Sequence, residues 1–148
     1  MRNVYIDACS FEKMKKLTIE YPHYENGGLL FGRMNPEWIR IYDVSDAGQN
    51  AIRTKYGVTF DSSYLQQYTE ERLKEDIFVI GTWHSHPAPY GLDPSPIDIS
   101  TMRKMGKLFD EAYLPIYFIV KVEKNNFFAN VYTIEERSVI RQEKFWMV

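Results

Sequence analysis

Hydrophobic and polar positions along the chain switch between two periods, and the switches outline its elements. Val4–Ile6 is a short alternating apolar stretch and reads as a first strand. From Ser10 onward Phe11, Met14, Leu17 and Thr18 recur at helical spacing, with Lys13, Lys15 and Lys16 on the other face. A helix is expected there, with Ser10 as its N-cap and Pro22 as its stop. The run Gly27–Gly32 is apolar and bounded by glycines, as a buried strand would be. Asn35–Pro36 is a turn, and Trp38–Val44 alternates well enough to be the antiparallel partner of that strand.

Ser45–Lys55 is polar, carries Gly48 and Asn50, and reads as a loop before a short strand at Val58–Phe60. Asp61 or Ser62 caps a helix running to about Lys74, whose apolar face is Tyr64, Leu65, Tyr68 and Leu73. Phe78–Trp83 is expected to be a central strand, followed by a loop from His86 to Ser95 rich in Pro and Gly. Asp98–Phe109 reads as a helix, Leu114–Val122 as a strand, Asn125–Asn126 as a turn and Phe127–Ile134 as its hairpin partner. The tail Glu135–Val148 is charged and then apolar, and is expected to form a last helix packed on the core through Phe145, Trp146 and Met147. No repeat or linker interrupts the pattern, so residues 1–148 are taken as one domain. Hairpins outnumber strict strand–helix alternation, which predicts the α+β variety of α/β protein: a mixed, mostly antiparallel sheet flanked by helices.

Composition narrows the function classes. The net charge of −2, with no basic run, argues against nucleic acid and against an anionic membrane surface as partners. Cys9 is the sole cysteine, so neither a disulfide framework nor a thiolate metal site is available. The start MRNVYIDAC lacks an apolar leader core, and no segment has the length of a membrane span. A reducing, cytoplasmic setting is the expectation.

The chemistry concentrates in residues 82–98, TWHSHPAPYGLDPSPID. Side chains alternate along a strand, so His84 and His86 face the same side and can turn toward one point. Asp98, at the start of the next helix, is the natural third ligand. Two imidazoles and a carboxylate leave zinc's fourth position open to water, which marks a catalytic rather than a structural metal. Each signal also has a plainer reading. A lone His-x-His pair is commonly an ordinary surface or core pair, and Ser95-Pro96-Ile97-Asp98 is ordinary helix-start chemistry, with Ser at N-cap, Pro at N1 and an acid at N3.

Taken together, the residues resemble the JAMM (MPN+) zinc metallopeptidase family, whose prokaryotic JAB members are small. His84-Ser85-His86-Pro87, seven residues, Ser95, two residues and Asp98 reproduce that family's motif at every fixed position. Glu25, Gly28, Leu30 and Gly32 match its upstream Glu-x-x-Gly-x-Leu-x-Gly context, and the likeness runs from about Tyr5 to Tyr132. The resemblance implies the MPN/JAB fold with a curved sheet and one Zn2+ per chain on His84, His86 and Asp98. It also implies Glu25 as general base and Ser95 as an oxyanion donor that competes with its capping role. Glu20 and Glu37 are rival bases, set aside because neither adjoins the metal-facing end of the Gly-rich strand. His23 is read as a loop residue and Trp83 as wall packing.

Members of that family cut the amide or isopeptide bond after the Gly-Gly tail of ubiquitin or a ubiquitin-like protein, holding the tail extended along a strand edge. GGLLFGR, Gln49–Arg53 and TWHSHP are similar to segments of small bacterial enzymes encoded beside E1- and E2-like proteins, including in antiphage operons. The expected activity is therefore deconjugation or precursor trimming of a ubiquitin-like protein. A second reading is processing of a sulfur-carrier protein's Gly-Gly terminus in cysteine or cofactor biosynthesis, and a third is a metal-free MPN scaffold.

Overall fold

The computed structural model describes residues 2–148, and an eight-stranded sheet dominates it. The elements in chain order are β1 (Asn3–Ile6), α1 (Ala8–Ile19), β2 (Gly27–Met34), β3 (Trp38–Val44), β4 (Ile52–Thr54) and β5 (Gly57–Thr59). They continue with α2 (Ser62–Leu73), β6 (Phe78–Ser85), α3 (Pro96–Gly106), a single 3-10 turn at Glu111–Tyr113, β7 (Ile116–Glu123), β8 (Asn126–Glu135), β9 (Ser138–Gln142) and β10 (Trp146–Met147). The order across the large sheet is β10-β1-β3-β2-β6-β7-β8-β9, with β4 and β5 forming a separate hairpin.

The sheet is mixed, as the alternation of hairpins and crossovers predicts. β2–β3, β2–β6, β7–β8 and β8–β9 pair antiparallel, whereas β1–β3, β6–β7 and β1–β10 pair parallel. It curls until its far ends meet: Gln142 of β9 donates to the carbonyl of Arg2, and the Arg2 guanidinium reaches the Leu114 carbonyl at 2.6 Å. One face packs against α1, where Val4, Ile6, Met14, Leu30, Ile41, Trp83 and Phe118 are buried in a common core. A smaller core of Met102, Tyr117, Ile119, Tyr132 and Ile134 seats α3. Each fully buried aliphatic or aromatic side chain contributes about 1.5–3 kcal/mol, so these two cores fix where α1 and α3 can lie.

Four expectations need correction. The tail is not a helix but the strands β9 and β10. Between them Phe145 crosses the end of the main core, edge-on to Phe118 at 5.3 Å and to Phe11 at 5.7 Å. The hairpin from β8 to β9 turns through Glu136 and Arg137, both at positive φ, a conformation for which neither residue type is a sequence signal. Helix α1 begins at Ala8 after Asp7, so Ser10 lies inside the first turn and is buried; the Asp7 carboxylate makes no cap because it accepts two hydrogen bonds from Arg40. The stretch read as a loop over 45–55 contains β4, which pairs with β5. Finally, α3 starts two residues earlier than Asp98 and ends at Gly106.

Candidate metal centre

Strand register builds most of the site. β2 and β6 run antiparallel with Gly27 opposite His84 and Gly28 opposite Trp83. Continuing that register past the end of β2 sets Asn26 across from Ser85 and Glu25 across from His86. The pairing continues in fact, since the Ser85 amide donates to the Asn26 carbonyl at 2.8 Å. Cross-strand partners share a face, and so do residues two apart, so Glu25, His84 and His86 project together from two adjacent strands. Gly28 is required here by space: a Cβ at that position would stand 2.1 Å from the Ser45 carbonyl oxygen. Trp83 points the other way, wholly buried, its indole N–H donating to the same carbonyl at 2.8 Å; it is wall packing, as expected.

The fourth residue comes from the N-terminus of α3. Ser95 caps the helix by accepting the Asp98 amide at 3.0 Å, and the Asp98 carboxylate accepts the Ser95 amide at 2.9 Å in return. This reciprocal capping box orients the carboxylate, and the oxygen it uses, Oδ2, is the one that faces the histidines. One Asp98 oxygen thus closes the capping box and faces both histidines.

Three donor atoms form a near-equilateral triangle. His84 Nε2 lies 3.2 Å from His86 Nε2 and 3.2 Å from Asp98 Oδ2, and His86 Nε2 lies 3.1 Å from Asp98 Oδ2. A tetrahedral ion with ligand distances of roughly 2.0 Å has donor–donor edges of roughly 3.3 Å, so the triangle has the size of one face of such a tetrahedron. The proton inventory agrees. His86 Nδ1 sits 2.6 Å from the Gly91 carbonyl, which fixes an N–H on that nitrogen, so in the neutral ring the lone pair is on Nε2 and faces the triangle. Such a convergence of acceptors suits a positive charge, either a proton on an imidazole or a metal ion.

Electrostatics point the same way. Burial disfavours the charged form of His86, but the hydrogen bond to Asp98, the Gly91 carbonyl and the charges of Asp98 and Glu25 outweigh it and raise its pKa. Burial likewise favours a neutral Asp98, yet hydrogen bonds from His84, His86 and the Ser95 amide hold it well below the usual carboxylate range. Glu25, only 6% exposed, is different: burial pushes its pKa up, and the two imidazoles only partly offset this. Donor atoms of Glu25, His84, His86 and Asp98 all lie within 4.8 Å of one another. Glu20, Glu37 and His23 are exposed and absent from this group.

A pocket of about 230 Å³ opens over the group, walled by Tyr56, Val58, Phe60 and Ile97. Sequence reading missed these lining residues, and it missed Gly91 as a ring-orienting acceptor. Gly91 was legible only as a loop breaker; Tyr56 and Val58 come from a hairpin whose strands are three residues long, Phe60 follows that hairpin, and Ile97 belongs to α3.

A sequence profile for prokaryotic homologs of the JAB domain matches residues 11–135. The CD-NTase/cGAS isopeptidase of Escherichia coli (strain TW11681) is 30% identical over 84 residues, 55% of this chain and 53% of that protein. COP9 signalosome complex subunit 5 of Eremothecium gossypii is 31% identical over 90 residues, 60% of this chain and 21% of that protein. The matches therefore span about half or less of these relatives. The solution structure of a Desulfitobacterium hafniense protein shares the fold, with a TM-score of 0.75 over 97% of this chain and 92% of that one, at 19% identity. The matched span runs from α1 to the end of β8 and holds all four converging residues, and on that match the chain belongs to the prokaryotic JAB-domain family.

Proposed function

We propose that this chain is a zinc-dependent isopeptidase or peptidase that cuts the bond following the Gly-Gly terminus of a ubiquitin-like protein. The observation that carries the proposal is the convergence of Glu25 with the His84–His86–Asp98 triangle beneath one small pocket. The isopeptidase named among the relatives supports the reaction class.

His84, His86 and Asp98 would hold the ion, since Nε2 of each imidazole and Oδ2 of Asp98 face one another. Zinc supplies Lewis acidity toward a carbonyl and lowers the pKa of water toward about 7. Glu25 takes a proton from the attacking water, and its raised pKa makes it a better acceptor than an ordinary carboxylate. As the C–N bond breaks, Glu25 returns that proton to the leaving amine, and the acyl side departs as a carboxylic acid that loses its remaining proton to solvent. The Ser95 oxygen accepts the Asp98 amide through a lone pair, which leaves its hydroxyl hydrogen free to donate to the developing oxyanion. Ser95→Gly tests this role, because glycine at an N-cap costs only a few tenths of a kcal/mol. An unchanged kcat in that variant removes Ser95 from the mechanism.

The narrow pocket suits a chain without side chains, and β5 beside it offers a strand edge for an extended tail. Candidate Gly-Gly-tailed fusions incubated with the zinc-loaded protein, with and without a chelator, test the proposal by intact mass. Cleavage at the glycine carbonyl that stops with chelation is the expected result. A protein that takes up no zinc and cleaves none of the fusions is a scaffold, and the proposal fails.

A further inference from the structure

Glu25 stands outside regular structure, two residues before β2, and something must hold it over the cleft. Its amide donates to the Thr54 carbonyl in β4 at 2.8 Å. The next residue, Asn26, is fully buried and uses its whole side chain. Its Nδ2 donates to the Leu17 carbonyl and to Asp46 Oδ1, both at 3.0 Å, and its Oδ1 accepts from Arg53 Nε at 2.9 Å. Its backbone amide donates to Ser85 Oγ at 2.9 Å, tying it between the two metal-ligand histidines. Arg53 closes the ring. Its Nη2 meets Asp46 Oδ2 at 3.1 Å and the Gly48 carbonyl at 3.3 Å, and its guanidinium lies 4.1 Å from the Tyr21 ring centre.

We infer that Arg53 is a positioning residue for Glu25, clamping the segment 25–26 to the β4–β5 hairpin so that the hairpin and the base move as one unit. This rests on the reading of Glu25 as the base. The side chain of Arg53 is 9% exposed and its partner Asp46 27% exposed, so the pair is well sheltered from solvent screening. The planar fork is essential to the arrangement: Nε serves Asn26 while Nη2 serves Asp46 and Gly48, three acceptors that an ammonium cannot reach in this geometry. Thr54, the residue that holds the Glu25 amide, follows Arg53 directly, so loss of the fork loosens both anchors of the base. The same hairpin forms a wall of the cleft through Tyr56 and Val58, and a substrate pressed against it bears on the base.

The test uses the full chain, zinc-loaded, as wild type, Arg53→Ala and Arg53→Lys. Displacement of a catalytic group by about 1 Å costs about 100-fold, so Arg53→Ala is expected to lose about that much kcat with zinc stoichiometry unchanged. Added guanidinium restores part of the loss in Arg53→Ala and none in wild type, and Arg53→Lys stays impaired. A second readout needs no substrate: amide hydrogen exchange at Glu25 and Asn26 in Arg53→Ala accelerates by about tenfold or more, while the β7 amides keep their protection. Unchanged exchange at those two amides overturns the inference. So does acceleration spread equally into β7, which assigns Arg53 to general stability; if the alanine variant does not fold, Arg53→Lys carries the same readouts. Should the wild type cleave no Gly-Gly fusion, the peptidase reading fails, and the exchange arm still decides whether Arg53 anchors Glu25.

Discussion

Two polar clusters flank the same sheet, and they are built on opposite principles. Between α1, β3 and α2, Lys13 donates to Tyr68 at 2.9 Å and to Asp43 at 3.2 Å, Tyr68 donates to Asp43, and Arg72 stands 3.7 Å from the same carboxylate. Donors outnumber acceptors there, and the carboxylate is saturated. At the other site two carboxylates and two imidazoles crowd within 4.8 Å, and among the described residues no lysine or arginine pairs with them or lines the pocket above. The first cluster carries its own cations, with a buried donor to spare in Arg72 Nε, and ties three elements together. The second is short of positive charge, and that shortage is what suits it to a cation. The pKa directions follow: burial, with Asp43 as hydrogen-bond partner, drives Tyr68 far above the phenol range and keeps it neutral, whereas His86 is raised toward carrying charge.

The contrast breaks most sharply at Glu25. Glu25→Gln keeps the volume and removes the proton acceptor, so kcat is expected to fall about 10³-fold with zinc still bound, measured by turnover alongside metal analysis. Normal hydrolysis by that variant eliminates Glu25 as the base. Asp98→Ala comes next: it removes a ligand, and zinc affinity should drop by more than about 100-fold, beyond what loss of an outer partner costs. Competition titration against a chelator reads this, and full zinc occupancy in the variant returns Asp98 to capping alone. In the other cluster Asp43→Ala should cost about 2 kcal/mol by chemical denaturation, by stranding Tyr68 and its cations, and leave kcat/KM untouched. A large loss of activity there dissolves the distinction between the clusters.

The gentlest probe is pH. In the metal-free protein His86 has a raised pKa, so protons compete with the metal sooner on acidification than at an ordinary imidazole. Zinc affinity should be fully present above that raised value and fall by up to about tenfold per pH unit below it. Calorimetric titrations across the range check this, and a flat profile removes His86 from the ligand set.

The converging His84, His86 and Asp98 were legible in the sequence because local rules position them: period two for the histidines, and helix-start chemistry with Ser95 for Asp98. Glu25 was legible through its motif context alone, since its place opposite His86 depends on strand register, which no single strand reveals. The tail was misread for a related reason. β10 exists by pairing with β1 at the far end of the chain, and the turn before β9 uses Glu136 and Arg137 instead of Asn or Gly. Asp7 was passed over as the start of α1 because its neighbour Arg40 is distant in sequence. Local codes were readable; pairings between remote segments were not.

The capping box at Ser95 and Asp98 has a consequence for interpreting divergent relatives. A carboxylate that begins a helix is retained for stability whether or not a metal is ever bound, so a descendant chain that abandons catalysis has reason to keep its aspartate. His84 has no such second employment, whereas His86 also pins the loop after β6 through the Gly91 carbonyl. If the proposed activity holds, its loss in this lineage should therefore show first at the position of His84, and an intact Ser-x-x-Asp alone is a poor witness to an active enzyme.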